Sequence, residues 1–153
     1  MIYLILAHAK LKGMIQRIQT VWWAASVIAL AILPSFSLLK FEHGFLSFSE
    51  TFSVSDSKIL IVFLSIMIAL SLLNILLFKK RLVQIKIGYM LLLLHLSFFL
   101  PLYLQYSIQL DEGDKVTILP AIVIPVISLI FQILAIRAVK KDEALIKSMD
   151  RLR

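Results

Sequence analysis

Cysteine is absent from all 153 residues, which removes disulfide staples, thiolate metal ligands, thiol nucleophiles and thioether lipidation together. Glycine is nearly as scarce, with only Gly13, Gly44, Gly88 and Gly113. That leaves no glycine-rich phosphate loop and no glycine seam of the small-xxx-small kind for tight helix crossing. There is no HExxH, no GxSxG and no His/Asp/Glu grouping with metal-ligand spacing. The expectation is a protein that is not an enzyme and carries no cofactor or metal.

Charge is sparse as well, at 16% of residues, and hydrophobic residues make up 61%. Soluble domains usually hold about 45–50% apolar residues, and the excess here is gathered into long blocks. Four stretches, 18–39, 59–78, 87–110 and 116–136, contain no formal charge. Each has about the 20 residues that a helix needs to cross a hydrocarbon core roughly 30 Å thick. Spanning strands would alternate apolar with polar, whereas LIVFLSIMIALSLLNILLF is apolar on every face. The expected fold is an all-α membrane protein, a bundle of four transmembrane helices with a helical tail.

The net charge of +7 raises a nucleic-acid partner, but the basic residues fall beside the apolar blocks, where membrane orientation accounts for them. Lys10, Lys12 and Arg17 precede the first block; Lys79, Lys80, Arg81 and Lys86 lie between the second and third; Arg137, Lys140, Lys141, Lys147, Arg151 and Arg153 follow the fourth. The other two connections hold only Lys40, Lys58 and Lys115, against six acids. Lys and Arg accumulate on the cytoplasmic side of short loops, so both termini are expected in the cytoplasm. The partners expected are the lipid bilayer and a cytoplasmic or membrane protein, not nucleic acid, with a homo-oligomer left open.

Residues 1–13 read as an extension outside the native domain, with Met14 a candidate initiator: MIQRIQTVWW forms a short basic entry followed by Trp22 and Trp23 near the interface. Residues 14–139 then form the transmembrane domain and 140–153 the tail. The outer segment after the first block alternates in part, Phe48, Phe52 and Val54 against Ser47, Ser49, Ser53 and Ser55, which resembles a strand or hairpin with its aromatic side on the bundle or the interface; a solvated loop with aromatic interfacial anchors is the favoured reading and a ligand- or partner-binding surface the other. The other outer connection, SIQLDEGDKVT, reads as a turn at Gly113. Pro34, Pro101, Pro120 and Pro125 all lie toward the outside, where kinks would shape the helices or open a cavity.

Chemistry within a bilayer needs polar groups at depth, and these are few. Asn74, His95 and Gln132 are the intramembrane candidates. The second and fourth helices run in the same direction, which places Asn74 and Gln132 at similar depth and predicts a mutual amide pair. His95 has no acidic partner in any block, and is expected neutral and hydrogen-bonded within the bundle. In the tail, Leu145, Met149 and Leu152 recur at i, i+4 and i+7, and Glu143 precedes Lys147 by four, as an amphipathic helix requires. Leu145, Met149, Arg151, Leu152 and Arg153 are the candidate surface for a partner or the inner leaflet.

MIQRIQT at 14–20, LNILLFKKRLVQIK at 73–86 and LAIRAVKKDEALIKSMDRLR at 134–153 together resemble a family of small four-helix bacterial inner-membrane proteins classed as a domain of unknown function. The resemblance implies the four-span bundle and a bacterial inner-membrane location, and brings no activity or site. Two functions follow as expectations: an accessory or scaffolding subunit acting through its tail, or a small transporter or ligand-binding membrane protein with a polar site in the bundle. The topology has a direct check: a reporter that is active only outside the cytoplasm, fused after Arg153, is expected to stay silent, while one fused near residue 45 is expected to be active.

Overall fold

The computed structural model describes residues 18–43, 48–78, 80–109 and 114–150. Among these residues, five α-helices and three short strands occur in the order α1 (18–32), β1 (Ser37–His43), β2 (Phe48–Ser53), α2 (Lys58–Leu76), α3 (Arg81–Ser97), α4 (Phe99–Gln109), β3 (Lys115–Ile118) and α5 (Val123–Asp150). Four helical stretches, Ile18–Ser35, Lys58–Leu76, Arg81–Gln109 and Pro120–Ser148, are long and apolar enough to cross a membrane. The chain therefore has a mostly helical fold with four candidate spans, as its composition predicts. The spans alternate in direction, so the bundle has a basic end, where α2 meets α3 and α5 finishes, and an opposite end carrying the strands.

α2 shows how such a helix packs without an amphipathic sequence. Its buried residues, Leu60, Leu64, Met67, Ser71 and Asn74, follow one stripe at three- and four-residue spacing. The remaining faces leave Ile59, Val62, Leu73 and Leu76 exposed, the last at 71%. Apolar faces this continuous are compatible with contact to lipid.

The strands add a small layer to the expected helical architecture. They form one antiparallel sheet in the order β2-β1-β3. Phe41, Phe52 and Val54 are buried beside Leu38 and Leu39, packing with Leu60, Leu64, Phe98 and Leu102 into the main core. The alternation anticipated for the outer segment is thus realised, with Phe52 and Val54 inward and Ser49 and Ser55 outward; the side chain of Phe48 and residue Ser47 lie outside the described residues. The third strand, by contrast, falls where a turn and a helix start were expected. Ser53 and Asp56 close the way into α2: Ser53 N–H donates to Asp56 Oδ2 at 2.6 Å. On the outward side of β1, Lys40 holds the Glu42 carboxyl at 2.7 Å and keeps its pKa below the ordinary value.

Proline explains where helices begin and end. α1 gives way at Leu33–Ser35 to a 3-10 turn around Pro34, so residues 37–39, expected in the first span, enter β1 instead. The fourth span begins not at 116 but after a 3-10 turn at Pro120–Ile122, and Pro125 occupies the first turn of α5. The third span is interrupted at Phe98, which puts Pro101 in the first turn of α4. Pro101, Pro120 and Pro125 therefore sit at helix starts, where a missing N–H costs no ladder bond.

Gly88 marks a close helix approach. A Cβ there would lie 2.8 Å from Ile136 Cγ1 and 3.2 Å from Trp23 Cη2, so α1, α3 and α5 meet across its missing side chain. A single glycine does here what the absent glycine seam would have done. Gly88→Ala is expected to lower the unfolding free energy in detergent by about 1–3 kcal/mol through overpacking, and Gly88→Val by more, measured by denaturant titration.

Candidate functional site

α1, α2, α3 and α5 each bring a polar side chain inward, and together they form a ladder of contacts along the bundle axis. Asn74 and Gln132 are fully buried and His95 is 2% exposed, so all three intramembrane candidates face the interior. The residues that meet them, Ser26, Ser71, Gln84 and Ser128, are buried too.

His95 belongs to a closed array on the sheet side of the ladder. Its Nδ1 lies 2.8 Å from the Leu91 carbonyl oxygen, which can only accept, so that nitrogen carries the proton. In the neutral ring Nε2 accepts from the Ser128 hydroxyl at 3.0 Å. Ser26 Oγ joins Ser128 Oγ at 2.8 Å, tying α1, α3 and α5 together. Both ring nitrogens are satisfied, an arrangement that suits a packing histidine.

The amide group is built differently from the pair predicted by depth. Gln132 Nε2 donates to Ser71 Oγ at 3.2 Å, one turn from Asn74, rather than to Asn74 itself. The Asn74 backbone carbonyl accepts from Gln84 Nε2 at 3.0 Å. Position along the axis decides this: Ser71 and Asn74 share a face of α2 about one turn apart, and Gln132 meets the serine level. Among the described residues, Asn74 Oδ1, Asn74 Nδ2, Gln84 Oε1 and Gln132 Oε1 then have no hydrogen-bond partner. A buried polar atom left in this state costs about 1–3 kcal/mol.

At the basic end, Arg81 in the first turn of α3 pairs with Asp142 of α5, Nη2 to Oδ2 at 2.8 Å, with side-chain exposures of only 14% and 3%. Lys140 Nζ lies 4.9 Å above the Tyr89 ring, and Gln19 Nε2 donates to the Ala138 carbonyl at 3.4 Å. Asp142 was expected in the free amphipathic tail; it is instead an element of the bundle. Beyond it, Glu143 and Lys147 form the predicted i,i+4 pair at 3.5 Å, and Leu145 is 43% exposed. The Met149 side chain and the residues Arg151, Leu152 and Arg153 lie outside the described residues.

The sheet end holds an apolar cavity of about 340 Å³ between β1, β3 and α4, lined by Leu39, Leu102, Tyr103, Tyr106 and Ile118 among others. Among the described residues no group of three or more His, Asp or Glu could hold a metal ion. Sequence reasoning passed over Ser26, Ser71, Ser128 and Gln84. Serines in apolar helices commonly bond to their own backbone, as Ser65 and Ser97 do here, and nothing in spacing alone separates the two uses. For Gln84 a signal existed, because it lies one turn inside the basic entry of α3.

A family model described as a domain of unknown function (DUF4293) matches residues 15–152. No curated protein and no solved structure matches the chain. The chain belongs to the DUF4293 family.

The Arg81–Asp142 pair is open to a double-mutant cycle. Arg81→Ala, which strands a buried carboxylate, is expected to destabilise the purified protein by about 3 kcal/mol. Adding Asp142→Asn to that variant should recover most of the loss in the same denaturation assay.

Proposed function

We propose, for this member of a family of unknown function, that the protein is a non-enzymatic accessory or scaffolding subunit of the bacterial inner membrane, presenting the end of α5 to a cytoplasmic partner. The observation that carries this reading is the 28-residue length of α5 together with the ion pair at Asp142. At 1.5 Å per residue such a helix extends about 42 Å, well beyond a hydrocarbon core of roughly 30 Å. Anchoring requires only a few basic residues at the membrane exit. A buried Arg81–Asp142 contact does something further, because it fixes the direction in which the rest of the helix leaves the bundle.

Positive-inside charge favours both termini in the cytoplasm, which puts Leu145 and the stretch through Met149, Arg151, Leu152 and Arg153 on that side. The exposed Leu145 beside the Glu143–Lys147 pair offers an apolar contact with a charged rim, the usual anatomy of a helix that docks on a partner. A small transporter or ligand-binding membrane protein is the second reading, and the unpartnered amides of Asn74, Gln84 and Gln132 favour it.

Truncation separates the two. Removing residues 145–153 leaves the Arg81–Asp142 pair in place, so the shortened protein is expected to insert and to melt within a few degrees of the full chain. Purified in mild detergent, the full chain should retain a stoichiometric partner that mass spectrometry identifies and that the truncated chain loses. A partner retained equally by both chains, or none under several conditions, would defeat the scaffolding reading.

A further inference from the structure

We infer that Ser71, Asn74, Gln84 and Gln132 enclose a binding site for small uncharged hydrogen-bonding molecules, occupied by water or by a polar solute of similar chemistry. The site is independent of the tail and stands whether or not α5 docks a partner. Its four side chains come from α2, α3 and α5, and all are at most 2% exposed. Two hydrogen bonds hold them together, Gln132 to Ser71 and Gln84 to the Asn74 backbone. Those bonds use one donor from each glutamine and leave both amide oxygens free, beside an Asn74 amide with neither end engaged among the described residues.

The chemistry of these atoms selects the occupant. Three carbonyl oxygens accept, while the Asn74 amide nitrogen and the second N–H of each glutamine donate, so an occupant must both offer and accept hydrogen bonds. A water molecule typically makes about three hydrogen bonds to buried groups that lack other partners, so one or two waters satisfy the set. No ionisable side chain belongs to the cluster. The nearby charges, Arg81 and Asp142, already compensate each other at 2.8 Å. A bare cation would enter a low-dielectric interior with no counter-charge, and an anion would face three carbonyl oxygens. Neither suits the site as a neutral molecule does. The surroundings make occupancy matter more than in a soluble protein, because lipid against the outer faces of the helices supplies no hydrogen bonds to an unpaired group. In the His95 array a few turns away, by contrast, both ring nitrogens are engaged by protein groups, the Leu91 carbonyl and the Ser128 hydroxyl.

The test uses the full chain in lipid nanodiscs, with nuclear magnetic resonance of 15N-labelled side-chain amides. Magnetisation transfer from water to the amides of Asn74, Gln84 and Gln132 is expected, and its loss at Gln84 in the Asn74→Leu/Gln132→Leu variant. Native mass spectrometry of the same preparation distinguishes the source: a retained small mass identifies a solute, and its absence beside a water signal identifies water. Addition of sodium or potassium chloride at constant ionic strength should leave the amide shifts unchanged. A shift that saturates with one of these cations would overturn the neutral-ligand assignment. No water transfer and no retained mass, with the double-leucine variant melting above the wild type, would show a dry cluster and end the proposal.

Discussion

A backbone in hydrocarbon must satisfy its polar groups internally, and side chains buried between helices inherit the same demand. That constraint organises this bundle. Lipid is as apolar as leucine, so the exposed Ile, Leu and Val side chains that dominate the outer faces give the helices little reason to choose one another. Selection falls to the few groups that lipid serves badly: serine hydroxyls, carboxamides, an imidazole and one ion pair. Each contact is worth only about 0.6–2 kcal/mol, yet they lie on one buried stripe per helix and fix rotation as well as proximity.

Two devices complement the polar ladder. At its level the missing side chain of Gly88 lets Trp23 and Ile136 approach α3, so that shape as well as hydrogen bonding sets the helix spacing. At the far end the sheet covers the helix termini, with Phe41, Phe52 and Val54 sealing the core against Leu60 and Phe98. Proline couples the two regions. By sitting at helix starts, Pro101, Pro120 and Pro125 let α4 and α5 begin where the sheet needs them, without opening the hydrogen-bonded interior.

The relation between Asn74 and Gln132 shows why depth alone is a weak guide to contact. Depth follows from counting residues along a helix and is read directly from the chain. Contact depends on axial offset to within one turn, which residue counting does not resolve and which gives Gln132 to Ser71, and on rotation about each helix axis, for which α2, apolar on all faces, offers no hydrophobic asymmetry. Asp142 shows the same limit in another form. Its neighbours in the sequence are charged and its own charge suggested solvent, but an arginine 61 residues earlier faces it, and a paired carboxylate can lie within the bundle where a lone one could not.

The sequence by itself determined a mostly helical chain with four stretches long and apolar enough to cross a membrane, and the asymmetry of charge between them, because each of these depends on composition integrated over about twenty residues. It also placed Asn74, His95 and Gln132 in the interior, since a polar residue inside an apolar span has few other places to go. Tertiary structure alone decided their partners, the third strand, the role of Gly88 and the point where the bundle ends and the tail begins. Those outcomes rest on distances of about 3 Å between residues remote in the chain, and such distances are fixed only when the helices have turned and packed.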